Sequence, residues 1–488
     1  MPTSLDAQQA AELGALTDVY PEARELGEIF ADAGHELYLV GGTIRDTLLA
    51  GGDEQRLATV DLDLATSARP DDTAALLEGW ASAIWLTGAA YGTISCQRQR
   101  GDDPPRTIEI TTFRSDTYEQ GSRHPSVTYG DTIEADLARR DLTVNAMALK
   151  VPEATFVDPH GGLGDLHRRV LRTPIDPMVS FTDDPLRMVR LARFAAVLDA
   201  EVDPATLAAA TQLAGELATV SAERIRDELV KLIAGRAPRR GVTLLVETGL
   251  SRHVLPELDV LRACVDPAHR HKDVYLHTLA VVENVMALES DGPDVVLRLA
   301  ALLHDIGKPA TRELHDDGRV TFHHHEVVGA RMAKARLKAL RYPKQVVEDV
   351  TQLVFMHLRF HGYVDGDWTD SAVRRYVNDC GRDEQLRRLN QLTRADVTTQ
   401  NRAKARRLQR AMDEFEERIA RLREQEELEQ VRPALDGHQI MQHLGLEPGP
   451  LVGEAWSMLR EARLEEGPMS AERAAELLDA WAEKKGLR

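Results

Sequence analysis

Cysteine is scarce in this chain of 488 residues. Cys96, Cys264 and Cys380 are odd in number, scattered and outside any metal-ligand spacing. A disulfide framework and a zinc finger are thereby excluded, and a reducing compartment is implied. Long apolar runs are missing too: no stretch reaches the roughly twenty residues that cross a bilayer. Met1-Pro2-Thr3-Ser4-Leu5-Asp6 lacks the basic region of a secretory leader. Neither membrane nor export is expected, so the protein is expected in the cytoplasm. Positive charge is outweighed, with 60 Lys and Arg against 79 Asp and Glu and a formal net charge of −19. That argues against a nonspecific coat on nucleic acid, which needs positive potential. No internal repeat occurs.

The deficit leaves room for local basic tracks. Arg331, Lys334, Arg336, Lys338, Arg341 and Lys344 have no acid between them, and 331, 334, 338 and 341 follow helical spacing. Arg236, Arg239 and Arg240 form a second cluster, and Arg402, Lys404, Arg406, Arg407 and Arg410 a third. Each also reads as an ordinary solvated helix face. The length allows roughly three or four domains at about 100–200 residues each.

The most informative stretch is Gly41-Gly42-Thr43-Ile44-Arg45-Asp46, followed by Asp61-Leu62-Asp63. A Gly-Gly turn after the apolar run Leu37-Tyr38-Leu39-Val40 lets backbone N–H groups approach a triphosphate. Arg45 falls in the first turn of a helix whose positive end points at the same anion. Asp61 and Asp63, two apart on a strand, emerge on one face and suit two Mg²⁺ ions. Each fragment alone is commonplace; in this order they outline a nucleotidyl-transfer site.

Along the chain, a polar helix over about 7–33 leads into strand, turn and helix. The Asp61 strand, Ile84-Trp85-Leu86, Gly92-Thr93-Ile94-Ser95 and Thr107 to Phe113 alternate like strands of one small sheet. From about residue 180 the periodicity is helical, punctuated by Gly235, Pro238, Gly249 and Pro256. The fold class is α+β: an α/β head on a long all-α body. The charged stretch 402–430 reads as one long solvated helix.

Three segments complete the head. Arg139-Arg140-Asp141-Leu142-Thr143-Val144-Asn145-Ala146-Met147-Ala148 offers paired cations for triphosphate or sugar, ahead of a helix packing through Val144, Met147 and Leu149. Asp158 to Leu166 is glycine-rich and reads as a hinge between head and body. Phe181 to Phe194 opens a helix with acids first and then arginines three apart. Asp184 and Arg187, neighbours on that face, present an acceptor beside a donor, which matches the Watson–Crick edge of cytosine or adenine. Uracil and guanine present the reverse and leave buried groups unpaired. A spacing of three rotates each step by about 60°, so Arg190 and Arg193 reach phosphate, sugar or a structural acid instead.

Taken in order over about residues 36–260, these motifs resemble those of the bacterial class II CCA-adding tRNA nucleotidyltransferases and the related poly(A) polymerases. The resemblance implies a polymerase-β-like nucleotidyltransferase head, a helical neck that reads the base, and addition of C, C and A to tRNA from CTP and ATP. Position by position, Asp61 and Asp63 match the catalytic Mg²⁺ carboxylates. Gly42, Arg45 and Arg140 match triphosphate or sugar contacts, and Asp184, Arg187, Arg190 and Arg193 match the nucleotide-reading segment. Asp183 stands where the family usually has Glu, one methylene longer. Glu109 is a candidate third carboxylate. DNA is not an expected partner.

A second constellation comprises His277, His304-Asp305 and Asp396, imidazole and carboxylate donors suited to a hydrolytic divalent metal. Leu299 to Leu303 bury a helix face that ends in the adjacent pair. This resembles the HD phosphohydrolase superfamily over about 270–400, with His325 and His357 matching ligands of a second metal. HD-bearing bacterial members of the tRNA nucleotidyltransferase family are associated with phosphatase or 2′,3′-cyclic phosphodiesterase activity. The expected divisions are an N-terminal helical segment (1–35), the head (36–175), the neck (176–262), the HD domain (263–400) and a helical tail (401–488). The tail resembles that of bacterial family members and is a candidate tRNA contact.

Competing readings stay open. A poly(A) polymerase of the same family is one, although Ala68 to Thr73 is acidic where poly(A)-making members tend to be basic and aromatic. A partial enzyme adding only CC or only A is another; the segment from Arg114 to Asp136 has the length of the loop needed to switch to A. An HD phosphohydrolase with an RNA-binding head is a third.

Overall fold

The computed structural model describes residues 5–50, 62–101, 105–114, 129–265, 273–317, 319–360, 362–363, 368–399, 401–426, 434–467 and 469–487. Asp61 and much of the Arg114 to Asp136 segment lie outside them. The chain divides into two compact units, Met1–Pro256 and Glu257–Arg488.

The first unit is built on one seven-stranded sheet: β1 (Leu37–Val40), β2 (Leu62–Thr66), β3 (Ala83–Trp85), β4 (Thr93–Arg98), β5 (Arg106–Thr112), β6 (Ala148–Val151) and β7 (Thr155–Val157), in the order β3-β4-β5-β2-β1-β6-β7. The β2–β5 pair is parallel and the rest antiparallel. All four residues of β1 are buried, as a strand covered on both faces requires. In β5, Ile108, Ile110 and Thr112 are buried while Glu109 points to solvent. The strands read from alternation thus share one sheet.

Local structure departs from the sequence reading in several places. The N-terminal helix is two, Ala7–Val19 and Pro21–Asp32, because Pro21 cannot continue a helix and instead starts the next. The second packs on β1 and β6, so this segment is part of the head's core. The helix expected after Arg140 is a 3₁₀ turn, Thr143–Asn145, followed by β6. Pairing with β1 claims Ala148 to Val151 and overrides their helical spacing. The expected hinge is a tightly bonded turn. Asp158 accepts from the Gly162 and Leu163 N–H groups at 2.7 and 3.0 Å. Buried Asp165 accepts from the Thr143 hydroxyl at 2.7 Å and from Arg172 at 2.9 Å.

After the sheet come the helices Pro177–Asp183, Leu186–Leu198, Ala222–Ala234 and Pro238–Glu247, the last two packed on Leu186–Leu198. Asp184 is not on a helix face as expected. It lies between helices in extended conformation (φ −141°, ψ 98°), because Pro185 disfavours helix at the residue before it.

Among the described residues the second unit is helical apart from a two-stranded ribbon, Glu313–Leu314 with Val320–Thr321, and an isolated bridge between Val265 and Asp273. Val274–Met286, Val295–Leu303, Lys344–Met356 and Asp383–Asp396 pack on one another, and His325–Ala339 packs along Lys344–Met356. Arg331 to Lys338 share His325–Ala339, but Arg341 has left it (φ +59°), and Arg336 pairs with Glu257 at 3.0 Å. Arg402–Glu426 is a long helix as expected, yet not wholly solvated, since Met412, Phe415, Ile419 and Leu422 are buried. The tail helices Gly437–Leu444, Pro450–Glu466 and Ala471–Lys485 enclose Ile440, Ala455, Leu459, Ala474 and Leu478. No described helix is long and apolar enough to cross a membrane. The three cysteines are buried, and none is in a disulfide.

Candidate active sites of the head and of the helical unit

In the head, β1 ends at the glycine turn. Gly41 has φ +71°, a left-handed value that a side chain resists. A Cβ there would lie 3.1 Å from an Arg140 guanidinium nitrogen, so turn and cation are in contact. The helix Gly42–Ala50 starts immediately and carries Arg45 near its N-terminus, as expected. Leu39 pairs with Leu64, which brings Asp63 to the turn end of β1. Asp63, exposed, is the direct partner of exposed Glu109 in the parallel β2–β5 register. Residues in register share a face, so Glu109 stands beside Asp63 as a third carboxylate requires. Carboxylates of this kind are hard oxygen donors that fit Mg²⁺.

The arginines are held by acids that sequence reasoning assigned no part. Asp136, fully buried, accepts from Arg139 at 2.9 Å and from Arg140 at 3.1 Å. Burial pushes its pKa up, but the Arg140 and Arg139 charges prevail and hold it below the usual range. The spacings of three and four before an arginine pair were the available signal. Arg45 donates to both Asp46 oxygens at 2.8 Å and to Asn145 Oδ1 at 2.6 Å, with its guanidinium 5.2 Å from the Phe194 ring centre. Asn145 Nδ2 in turn donates to Asp141 at 2.9 Å, and Arg190 Nε donates to the other Asp141 oxygen at 2.8 Å. Arg193 pairs with buried Glu228 at 2.9 Å. Arg190 and Arg193 therefore meet structural acids, one of the roles anticipated for them. Burial and the Arg190 charge lower the Arg193 pKa to about 10. At Arg190 burial also lowers it, but Asp141 and Glu228 prevail and raise it.

The two residues expected to read the base are engaged elsewhere. Asp184 accepts from the Leu186 N–H at 3.2 Å and pairs with Arg224 at 3.0 Å. Arg187, buried, donates to Ser180 Oγ at 2.9 Å and to the Arg139 carbonyl at 2.5 Å.

In the helical unit, His277, His304, Asp305, His325, His357 and Asp396 come together from five segments. His277 Nε2 lies 3.0 Å from Asp396 Oδ1, 3.4 Å from Asp305 Oδ2 and 3.3 Å from His304 Nε2. His325 Nε2 lies 3.3 Å from Asp305 Oδ1. Possible ligand atoms of His277, His304 and Asp305, and again of Asp305, His325 and His357, lie within 4.8 Å of one another. Gly307 makes the closure: a Cβ there would fall 2.2 Å from the His325 carbonyl oxygen.

The imidazoles are oriented for a cation. Nδ1 of His304, His325 and His357 donates to the carbonyls of Ala301, Phe322 and Val354 at 2.8, 2.8 and 2.6 Å. Carbonyls only accept, so the proton sits on Nδ1 and each Nε2 turns to the centre, the arrangement of metal-ligating histidines. His357 Nε2 is buried with no hydrogen-bond partner among the described residues. A divalent cation would satisfy it. Without one, burial and the His304 charge push the His357 pKa down to about 3. Burial lowers that of His304 as well, but Asp305 and Asp396 prevail and raise it to about 9. Asp305 and Asp396 lie below the usual carboxylate range; burial raises each, and the neighbouring histidines prevail. Lys308, unassigned from sequence, places Nζ 2.9 Å from Asp305 Oδ2.

The sequence matches the Poly A polymerase head domain over residues 37–172, the probable RNA and SrmB-binding site of polymerase A over 200–261, and the HD domain over 274–401. The A-adding tRNA nucleotidyltransferase of Deinococcus radiodurans is 34% identical over 454 residues, which span 91% of this chain and 95% of that protein. The chain belongs to the tRNA nucleotidyltransferase and poly(A) polymerase family. Another member, the CCA-adding enzyme of Levilactobacillus brevis, is 40% identical over 240 residues, 49% of this chain and 56% of that protein. The match thus spans about half the length of that relative. The fold is that of the Bacillus stearothermophilus CCA-adding enzyme solved with CTP (TM-score 0.69, 23% identity, 96% and 99% of the two chains). It comprises a nucleotidyltransferase head with a mixed sheet, followed by a helical body with an HD domain.

Proposed function

We propose that this protein adds C, C and A to the 3′ end of tRNA from CTP and ATP, without a nucleic-acid template, in the cytoplasm. The observation that carries the reading is the sheet register that puts Asp63 beside Glu109 and at the glycine turn. Asp61, outside the described residues, and Asp63 would hold Mg²⁺, with Glu109 as the added carboxylate. When bound, Mg²⁺ favours ionisation of the tRNA 3′-hydroxyl and neutralises the leaving pyrophosphate. Gly42, Arg45 and Arg140 orient the triphosphate for in-line attack. Asp136, Asp46 and Asn145 position those arginines.

Base choice falls to Asp184 and Arg187, which must exchange Arg224 and Ser180 for the base edge on nucleotide binding. Arg190 and Arg193 brace that segment on Asp141 and Glu228. Residues 1–35 and 36–175 supply the catalytic head, 176–262 the neck, 263–400 the HD domain and 401–488 the tail. The HD cluster would hold one or two divalent cations and hydrolyse phosphate esters at RNA ends. Its donors are the nitrogen and carboxylate types of hydrolytic metal sites.

A second reading, addition of A alone, is favoured by the Deinococcus relative, whose match runs nearly the full length of both chains. One experiment tests both. tRNAs ending before the first C, the second C and the A are each incubated with labelled CTP, ATP, UTP or GTP. Full repair of the shortest tRNA supports CCA addition, activity only on tRNA ending in CC supports the second reading, and no incorporation overturns both.

A further inference from the structure

The HD cluster opens into a cavity of about 330 Å³, within the size range of small-molecule sites. Its lining holds His277, Asp305, His325, His357 and Asp396 with Lys308, together with Lys404 and Arg407 from the first two turns of the helix Arg402–Glu426. These cations differ in their engagement. Lys308 is spent on Asp305 at 2.9 Å. Lys404 and Arg407 are exposed, three apart on the helix, and neither has an ion-pair partner among the described residues. Farther along the same helix Arg418 pairs with Asp370 at 2.5 Å and Arg423 with Asp383. In a chain with a net charge of −19, two unpaired cations on the wall of a metal-ligand cavity mark a place for an anion.

That anion is not the scissile phosphate, whose place is at the histidine and aspartate cluster: Asp305 and Asp396 pair with His277, His304, His325 and Lys308, and neither Lys404 nor Arg407 is within ion-pair distance of them. A substrate that engages both the cluster and these cations therefore carries a second negative group besides the scissile phosphate. A free mononucleotide with its only phosphate at the cluster has none. An RNA strand with a terminal phosphate does: the phosphodiester on the 5′ side of its last nucleoside.

We propose that Lys404 and Arg407 bind this penultimate phosphodiester, so that the HD cavity selects phosphorylated RNA 3′ ends over free nucleotides. The proposal rests on the reading of the HD cluster as a phosphohydrolase. With a terminal 2′,3′-cyclic phosphate, the oxygen of a water molecule bonds to phosphorus, one ribose P–O bond breaks, and the released ribose oxygen takes the water's proton. A phosphomonoester stays on the strand. Lys404 and Arg407 take no part in that exchange; they hold the strand in register.

The test compares a dinucleotide ending in a 2′,3′-cyclic phosphate with the corresponding mononucleoside 2′,3′-cyclic phosphate, using the metal-loaded full chain and a Lys404→Gln, Arg407→Gln variant. Both side chains are exposed, so the variant should fold. The wild type should favour the dinucleotide by tenfold or more in kcat/KM, mainly through KM, with the preference shrinking as salt rises. In the variant that ratio should fall about tenfold. Equilibrium binding of the dinucleoside 3′-phosphate and the 3′-mononucleotide to metal-free protein gives a readout independent of turnover, and the wild type should again prefer the longer ligand. Equal handling of the two lengths by the wild type, or an undiminished ratio in the variant, overturns the proposal. If neither ester is hydrolysed, the phosphohydrolase reading fails, and the binding comparison still decides whether this wall reads the second phosphate.

Discussion

Asp63 and Glu109 are direct partners in the only parallel pair of the described seven-stranded sheet, both exposed, next to the turn formed by Gly41 and Gly42. Loss of a metal carboxylate removes transition-state stabilisation without opening the core. Asp61→Ala and Asp63→Ala should abolish nucleotide addition, and Glu109→Gln should slow it by roughly 10²-fold, about 2.7 kcal/mol. tRNA binding and the circular dichroism spectrum should hardly change. Addition at the unmutated rate by Glu109→Gln with Mg²⁺ present removes Glu109 from the site.

For base choice, Asp184→Ala and Arg187→Ala should raise incorporation of UTP or GTP relative to CTP and ATP. One lost hydrogen bond costs about 1–3 kcal/mol, roughly one to two decades of discrimination. Competition assays with labelled nucleotides measure it. Should both variants lose rate yet discriminate as before, they position the nucleotide and do not read it.

Asn145 ties Arg45 to Asp141 through bonds of 2.6 and 2.9 Å. Asn145→Ala strips a partner from a buried arginine and a buried carboxylate at once. It should destabilise the head by about 1–3 kcal/mol and raise KM for the nucleotide, because Arg45 loses its anchor. Denaturant unfolding and steady-state kinetics check the two effects. An unchanged unfolding midpoint would mean that the bond is not maintained in solution.

The two sites should be separable, since their ligands belong to units that are each compact by themselves. His304→Ala with Asp305→Ala should remove bound divalent metal and any phosphatase or cyclic phosphodiesterase activity, and leave nucleotide addition within a few-fold of normal. Metal analysis and both assays on one preparation decide it. A wild type that binds no metal would reduce the HD module to a structural or tRNA-binding platform.

Chelation gives a further expectation. A cation bound only by the folded cluster stabilises the helical unit by mass action, about 2.7 kcal/mol at a hundred times Kd. Its removal should lower the thermal midpoint of the wild type and leave that of the His304→Ala, Asp305→Ala variant unmoved. Equal shifts in both would place the metal elsewhere.

Much of this arrangement is legible in the chain because it is written in local chemistry. Glycines 41 and 42 after an apolar strand force a turn, the alternation around Glu109 marks a strand, and Pro185 and Pro21 stop helices wherever they stand. The adjacent His304 and Asp305 at the end of an apolar helix announce a ligand pair. The single helix expected through Pro21 and the helical Asp184 expected before Pro185 overlooked that local signal; the other errors arose where tertiary pairing outweighed local preference. Ala148 to Val151 have helical spacing but become a strand because β1 offers them a partner, and Met412 to Leu422 look solvated until a neighbouring helix covers one face.

What the sequence determined by itself is the inventory: two donor sets, their order, and the class of element that carries each. Tertiary structure alone decided their company. The β2–β5 register brings Glu109 to Asp63 across 46 positions of chain. Packing turns Asp136, Asp141 and Glu228 from anonymous acids into the anchors of Arg140, Arg190 and Arg193. The close approach at Gly307 seats His325 against Asp305, and the start of the helix that follows Asp396 supplies Lys404 and Arg407 to the HD cavity. Motifs are local and survive in one dimension, whereas an ion pair, a metal site or a cavity wall depends on distances of a few ångströms between segments that only folding sets.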